Sequence, residues 1–322
     1  MEIKRVLSLG SCLGDLLLQE SEEYLRSLGR EKGGMTLVGV DRIEEALKKS
    51  GRAPLSAPGG SACNTAVGLA RLGTESHFLG RRGRDELGAE VERALTAWGV
   101  RAALRTSPTP TGRVLSVITP DAQRTMMTYL GAAAELAPED LKSEDFAGHD
   151  LIHLEGYMLF NRPLTLRALE LASAAGARVS LDLSSFEVVR QNRSLLREVI
   201  DEYVDLIIAN EDEASAFTGD EDPEENLEIL AELAEMAVVK LGAEGVLVAK
   251  GRKRVRAPGY KARAVDTTGA GDLWASGFIH GLARGFPLDR AARLGNRMGA
   301  AVVEVLGAAI PDEAYVRIRA QV

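Results

Sequence analysis

Short, almost wholly apolar runs recur at 5–9, 76–79, 151–154, 178–182, 205–209, 238–241 and 246–249, and segments with helical spacing separate most of them. A strand that is apolar on both faces has to be covered on both, which is the situation of a parallel sheet inside an α/β domain. The helical segments carry their own stop signals. The pattern at 63–72 ends at Gly73, and the pattern at 272–284 ends at Gly285 with Pro287 beyond it. This alternation predicts one doubly wound α/β domain over 1–322, its mostly parallel sheet flanked by helices.

Two stretches leave that rhythm. Segments 12–57 and 113–129 contain alternating, β-like pieces at 35–40, 114–119 and 125–129, which predicts a small β subdomain inserted in the main one, placed to act as a lid. The acidic stretch 219–236 has amphipathic helical spacing, and its charges read as a solvated helix face.

Composition narrows the function. A formal net charge of -8 disfavours nucleic acid or an anionic membrane as the main partner, while leaving room for a phosphate gripped locally by backbone amides. Cys12 and Cys63 are the only cysteines, so no disulfide framework can be drawn, and the four histidines lack metal-ligand spacing. The chain enters a strand pattern at its start without a leader-like hydrophobic region, and no apolar run reaches about 18 residues. A cytoplasmic protein is expected, and a homodimer is admitted.

The sharpest motif is DTTGAGD, 266–272, directly before the helical pattern LWASGFIHGLAR. Gly269, Ala270 and Gly271 have little or no side chain, so their amides can converge on an oxyanion at a helix N-terminus. Asp272 follows in the first turn, where a carboxylate can take a proton from an attacking hydroxyl. A tight turn with a favourable first-turn acid would use the same letters. A dinucleotide fingerprint would need a third glycine where Trp274 stands, and GxxxxGK[ST] does not occur. A second motif, PGGSACNTAVGLARLG at 58–73, places Gly59 and Gly60 before a helix and Asn64 near its start. Such a loop can bind vicinal hydroxyls, or it can be a capped turn.

Together these strings resemble the paired signatures of the ribokinase (PfkB) family of carbohydrate and nucleoside kinases, in the expected order and across essentially the whole chain. GSCLGD (10–15), KGGMTLV (32–38) and RTMMTYLGAA (124–133) resemble its adenosine-kinase-like branch. The resemblance implies a ribokinase-like fold, ATP and Mg2+ as cofactors, and a sugar or ribonucleoside as partner, with a monovalent cation admitted near 266–268. It assigns substrate hydroxyls to Asp15, Gly59, Gly60 and Asn64, the base to Asp272, and the anion hole to Gly269, Ala270 and Gly271. Arg124 would meet substrate or transferred phosphate, and Met35, Leu37 and Tyr157 would line the apolar acceptor pocket.

On the nucleotide side, Asn210 and Glu213 match an NxxE element that organises magnesium largely through water. The same letters make a helix start with Asn210 as N-cap, and both readings can hold. Lys240, Gly242 and Gly245 lie in KLGAEG, where backbone could approach ATP, and Thr268 and Asn296 complete the expected nucleotide site. A sugar kinase of the ribose or fructose type is the alternative to a nucleoside kinase, because Met35 offers no amide to a base edge. A non-catalytic sugar- or nucleoside-binding protein would have no need of Asp272. If Asp272 is the base, Asp272→Asn lowers kcat by about 10²–10⁴-fold with nucleotide affinity nearly intact, as steady-state kinetics and calorimetry would show.

Overall fold

The computed structural model describes residues 3–30, 32, 34–121 and 123–321. Glu31 and Gly33 of the first expected lid segment, and Ala122 of the second, lie outside the described residues, as do Met1, Glu2 and Val322. The main sheet has nine strands in the spatial order Lys253–Pro258, Gly245–Lys250, Met236–Lys240, Leu206–Asn210, Arg178–Asp182, Leu151–Glu155, Arg5–Leu9, Glu75–Gly83, Arg101–Ser107. Pairing is parallel from Met236–Lys240 through Arg101–Ser107, and antiparallel only in the two strands at the other edge. The expected doubly wound sheet is therefore present.

Its central strands are buried on both faces, as their unbroken apolar sequences require. Leu7, Leu9, Ile152 and Leu154 pack into one layer with Leu181, Val199 and Ile207. Val6, Leu151, Ile208 and Val238 pack into the opposite layer against Trp274, Phe278 and Ile279. Arg5–Leu9 has a parallel neighbour on each side, Leu151–Glu155 and Glu75–Gly83. Strand order reverses there, and an open α/β sheet leaves its ligand crevice beyond the carboxyl ends of such strands.

The strands at 101–107 and 253–258 were not anticipated. RAALRTS and KRVRAP are edge strands, and their charges obscured the apolar pattern.

A second, five-stranded sheet runs in the order Met35–Leu37, Arg124–Gly131, Thr111–Ile118, Leu13–Gln19, Leu55–Gly59. It corresponds to the two stretches that broke the rhythm, with one correction. Segment 12–57 is not only β-like, because it also contains the helices Glu22–Ser27 and Val40–Ser50. Val40 falls in the β-like piece expected at 35–40, yet Gly39 ends the extended run and the amphipathic sequence VDRIEEALKKS begins a helix at once. These helices cover one face of the small sheet through Leu25, Ile43 and Ala46 against Leu18, Leu115, Val117 and Met127. The other face looks away from that core. The acidic segment forms a helix over Pro223–Leu233 that buries Asn226, Leu227 and Leu230 and exposes its acids.

The helix Ala270–Ala283 is the keystone of the second layer. Phe278 is fully buried, and its ring stacks on Trp274 at 5.0 Å with an interplanar angle of 22°. Phe278→Ala removes a large side chain from a close-packed layer and costs about 3–5 kcal/mol of stability, to be read from urea unfolding of both proteins.

Candidate active site

The helix Ala270–Ala283 starts from Gly269, whose φ of 74° is the left-handed conformation glycine adopts freely. Immediately before it, Asp266 fixes the turn. Its Oδ1 accepts from the amide of Thr268 at 2.9 Å and from Thr268 Oγ1 at 2.7 Å, and its Oδ2 accepts from the amide of Gly307 at 2.8 Å. Ala270 donates its amide to the Thr267 carbonyl at 3.2 Å. The amides of Gly269 and Gly271 donate to no protein acceptor among the described residues. The expected three-amide cradle is thus an open pair plus one amide engaged in the turn.

Asp272 stands one residue past that pair, half-buried. Its Oδ1 accepts from Ser61 Oγ at 2.7 Å, its Oδ2 accepts from Asn64 Nδ2 at 2.9 Å, and its backbone carbonyl accepts from Thr65 Oγ1 at 3.2 Å. Burial pushes the Asp272 carboxyl above its ordinary range, while Asn64 and Ser61 oppose that rise by bonding the charged form. A carboxylate so held is oriented, has lone pairs left over, and is a stronger base than one in water.

The helix Ser61–Leu72 supplies these donors, and it begins from a constrained loop. Gly60 has φ of 102°, and a Cβ there would sit 2.1 Å from the Ser11 carbonyl oxygen. A Cβ on Gly59 would sit 2.1 Å from Asp15 Oδ1, so the glycine is what gives Asp15 its space. Asp15, only 5% exposed, lies on the small sheet, paired in register with Ala57. Burial raises its carboxyl to about 7, Arg124 pulls it down, and Asp272 and Asp266 push it up. Arg124 also lowers the Tyr157 phenol, which burial drives upward. Asp15, Arg124, Tyr157 and Asp272 therefore share one electrostatic neighbourhood.

Strand parity places the remaining acceptor-side residues. Met35 pairs with Met126 and Leu37 with Thr128, so all four share a face with Arg124, opposite the helix-covered face of Met127. Leu55 and Ala57 share the face of Asp15, through the pairs Leu17–Leu55 and Asp15–Ala57. Leu37 is 57% exposed and Leu55 55% exposed. The small sheet thus turns away from its own core a face with one acid and one arginine, buried at Leu17 and Val114 and uncovered at Leu37 and Leu55.

At the carboxyl ends of the next strands lies a charge cluster. Lys240 Nζ donates to Asp182 Oδ2 at 3.1 Å and lies 3.0 Å from the point where a Cβ on Gly271 would stand. Side chains of Asp182, Glu213 and Asp272 raise the Lys240 pKa against the effect of burial. Asn210 and Glu213 form a complete capping box: the Asn210 amide and Nδ2 donate to the two Glu213 oxygens at 2.8 and 2.9 Å, and the Glu213 amide donates to Asn210 Oδ1 at 2.8 Å. Burial raises the Glu213 carboxyl to about 7. Among the described residues no group of three or more His, Cys, Asp or Glu side chains stands together as a metal cage.

Three expected nucleotide residues are accounted for by the fold. Gly245 has φ of 112°, and a Cβ would lie 2.1 Å from the Ala257 carbonyl oxygen, so the antiparallel hairpin alone demands it. Thr268 is bonded wholly within its turn. The Asn296 amide accepts from Trp274 Nε1 at 2.7 Å and donates to the carbonyls of Ala257 and Pro258 at 3.0 and 2.9 Å, bracing helix to edge strand. Gly242, with φ of 53°, faces open space instead.

Ser61, Glu155 and Asp182 were not singled out from sequence. Ser61 lies inside the quoted loop motif, while Glu155 and Asp182 end the apolar strands LIHLE and RVSLD. An acid closing a buried parallel strand points at the crevice, and that was the available signal.

Comparison with known proteins agrees with this geometry. Residues 34–314 match the family described as pfkB family carbohydrate kinase. The chain is 30% identical over 284 residues to a fructokinase of Escherichia coli, covering 83% of this chain and 92% of that one. An adenosine kinase structure from Sinorhizobium meliloti superposes with a TM-score of 0.90 at 34% identity, covering 98% of this chain and 99% of the other. A probable sugar kinase from Rhizobium etli CFN 42 superposes with a TM-score of 0.91 at 31% identity, with the same coverage. With its paired loop motifs brought together around Asp272, this chain belongs to the pfkB family of carbohydrate kinases.

Proposed function

We propose that the protein transfers the γ-phosphoryl group of Mg-ATP to a primary hydroxyl of a ribonucleoside, with Asp272 as the base. The observation that carries this reading is the Asp272 carboxylate, oriented by Ser61 and Asn64 beside the open amides of Gly269 and Gly271. Three features support a triphosphate there: the Gly269 and Gly271 amides bond no protein acceptor among the described residues, the Lys240 ammonium borders Gly271, and Gly242 leaves its turn uncovered. Bound ATP supplies the phosphoryl group, with Mg2+ neutralising its oxygens. Glu213, both oxygens engaged by Asn210 and outside any cage of three or more acids among the described residues, suits magnesium held through water better than direct ligation.

Asp272 accepts the proton of the attacking hydroxyl while the cradle amides and Lys240 meet the charge on the moving group. Asp15 and Asn64 Oδ1, which accepts no bond among the described residues, hold ring hydroxyls. The small sheet closes over the acceptor and keeps water from competing for the phosphoryl group.

Choice of a nucleoside over a free sugar rests on Leu37, an exposed leucine on the site-facing side of the small sheet beside Met35. A flat apolar base would cover it, whereas a free sugar would not. The fructokinase relative supports the second reading, a free hexose or pentose. A panel of nucleosides and sugars assayed with Mg-ATP separates the two readings. Transfer to no nucleoside, with turnover on a sugar, overturns the first. On the preferred nucleoside, Leu37→Ala weakens binding by about 1–3 kcal/mol and leaves sugar turnover nearly unchanged. Equal losses on both acceptors would mark Leu37 as a packing residue.

Asp15 adds a pH dependence. Because burial lifts its carboxyl to about 7, the ionised form that accepts substrate hydroxyls is complete above that pH and lost below it. The acceptor KM therefore rises as pH falls through about 7, approaching about tenfold per unit further down. In Asp15→Asn the acceptor KM is high and flat over the same range.

A further inference from the structure

Ser184 is the only residue other than glycine with a positive φ among the described residues, at 66°. That conformation is unfavourable for a side-chain-bearing residue and persists where its surroundings over-determine it. Here they do. The Ser184 amide donates to Asp182 Oδ1 at 2.9 Å, and Ser184 Oγ accepts from the Gly156 amide at 2.8 Å and donates to the Asp182 carbonyl at 3.3 Å. Gly156 is pressed against the same turn, since a Cβ on it would lie 2.6 Å from the Leu183 carbonyl oxygen.

The second oxygen of Asp182 takes the Lys240 ammonium at 3.1 Å, and that ammonium borders Gly271 of the cradle. A continuous line of contacts runs from the strained turn to the phosphate crevice. Lysine has a flexible stem and no fixed donor geometry, so its position depends on its partner. Three carboxylates raise its pKa here, those of Asp182, Glu213 and Asp272. Pairing with Asp272 would weaken the base, and pairing with Glu213 would draw the charge away from the cradle. We infer that Ser184 and Asp182 are positioning residues: the left-handed turn aims Asp182, and Asp182 holds Lys240 at the cradle and away from the base. The inference rests on the proposed phosphate site, and it assigns the strain at Ser184 to backbone aim, with no contact from its hydroxyl to substrate.

Two series of variants test it, each with KM for ATP and for the acceptor measured separately. In Asp182→Asn, KM for ATP rises at least about tenfold, while the acceptor KM stays within about threefold. The acid limb of kcat moves to lower pH, because the base loses a neighbouring negative charge and gains the released ammonium. Asp15, Glu155 and Tyr157 also face Asp272, and Glu213, His153 and Asp212 lie on the Lys240 side. Asp182 lies near His153 and Glu213, and Asp212 near Glu213. His153 is buried and held neutral, with its pKa about 4, so it does not titrate across the working range.

At position 184, activity should rank by tolerance of positive φ. Ser184→Val raises KM for ATP about tenfold or more, and Ser184→Asn and Ser184→Gly recover most of that loss. Equal damage in Ser184→Gly and Ser184→Val would make the hydroxyl the functional group and overturn the inference. An unchanged KM for ATP in Asp182→Asn overturns it too, and so does a parallel rise of both KM values. If Ser184→Val does not fold, the Asp182→Asn kinetics alone decide. If the wild-type chain transfers no phosphoryl group, the kinase reading fails separately. Calorimetry of ATP with wild type and Asp182→Asn then still shows whether Asp182 governs nucleotide affinity.

Discussion

One buried carboxylate sets the geometry from which the site follows. Glu155, 1% exposed at the end of its strand, accepts the Ser11 amide at 2.9 Å and the Ala62 amide at 3.0 Å. It thereby ties the exit of the central strand and the start of the helix Ser61–Leu72 to a third backbone. Burial raises its carboxyl, and the two amides counter that rise by bonding the charged form. Gly10 belongs to the same constraint, because a Cβ there would lie 2.4 Å from the Glu155 carboxyl carbon. Ser61 adjoins Ala62 and Asn64 lies two residues beyond it, so the bearing of Asp272 depends on Glu155 at one remove. Removing the carboxylate would leave two inward-facing amides without an acceptor, a larger loss than that of an exposed ion pair.

The sheet was legible in the sequence because burial on both faces leaves a plain mark, an unbroken apolar run such as MAVV or LIIA. Edge strands carry no such mark, and the helix Val40–Ser50 was hidden by the β-branched start of its own amphipathic pattern. The site was legible where chemistry demands particular letters close together, as around Asp272 and Gly60. It was not legible at Glu155, Asp182 or Ser184, because Ser11, Ala62, Lys240 and Gly156, which they bond, lie far away in sequence and become neighbours only when strands align. Asn296 and Gly245 show the converse. Both sit where a nucleotide residue was expected, and internal bonds or backbone crowding already explain their identities.

The two sheets divide the labour of the proposed reaction. The large one brings strand ends together, and with them Glu155, Asp182, Asn210 and Lys240, on elements packed from both sides. The small one offers a face whose apolar residues are only partly covered, with Asp15 and Arg124 among them. Period-two alternation is what makes this division possible, since one residue of register would turn Leu37 and Arg124 into the helix-covered core and Met127 outward.

The seating of the helix Ala270–Ala283 has an evolutionary consequence. Its flank is pressed against two other helices at glycines: a Cβ on Gly68 would meet Ser276 Oγ at 2.2 Å, and Cβ atoms on Gly277 and Gly281 would meet the Leu294 carbonyl oxygen at 2.8 Å and Ala291 Cα at 2.7 Å. A helix so confined has little room to shift, so the proposed base it carries is fixed in space by packing alone. Innovation is left to the small sheet, where Met35, Leu37 and Leu55 contribute little to any core and can drift at low cost to stability.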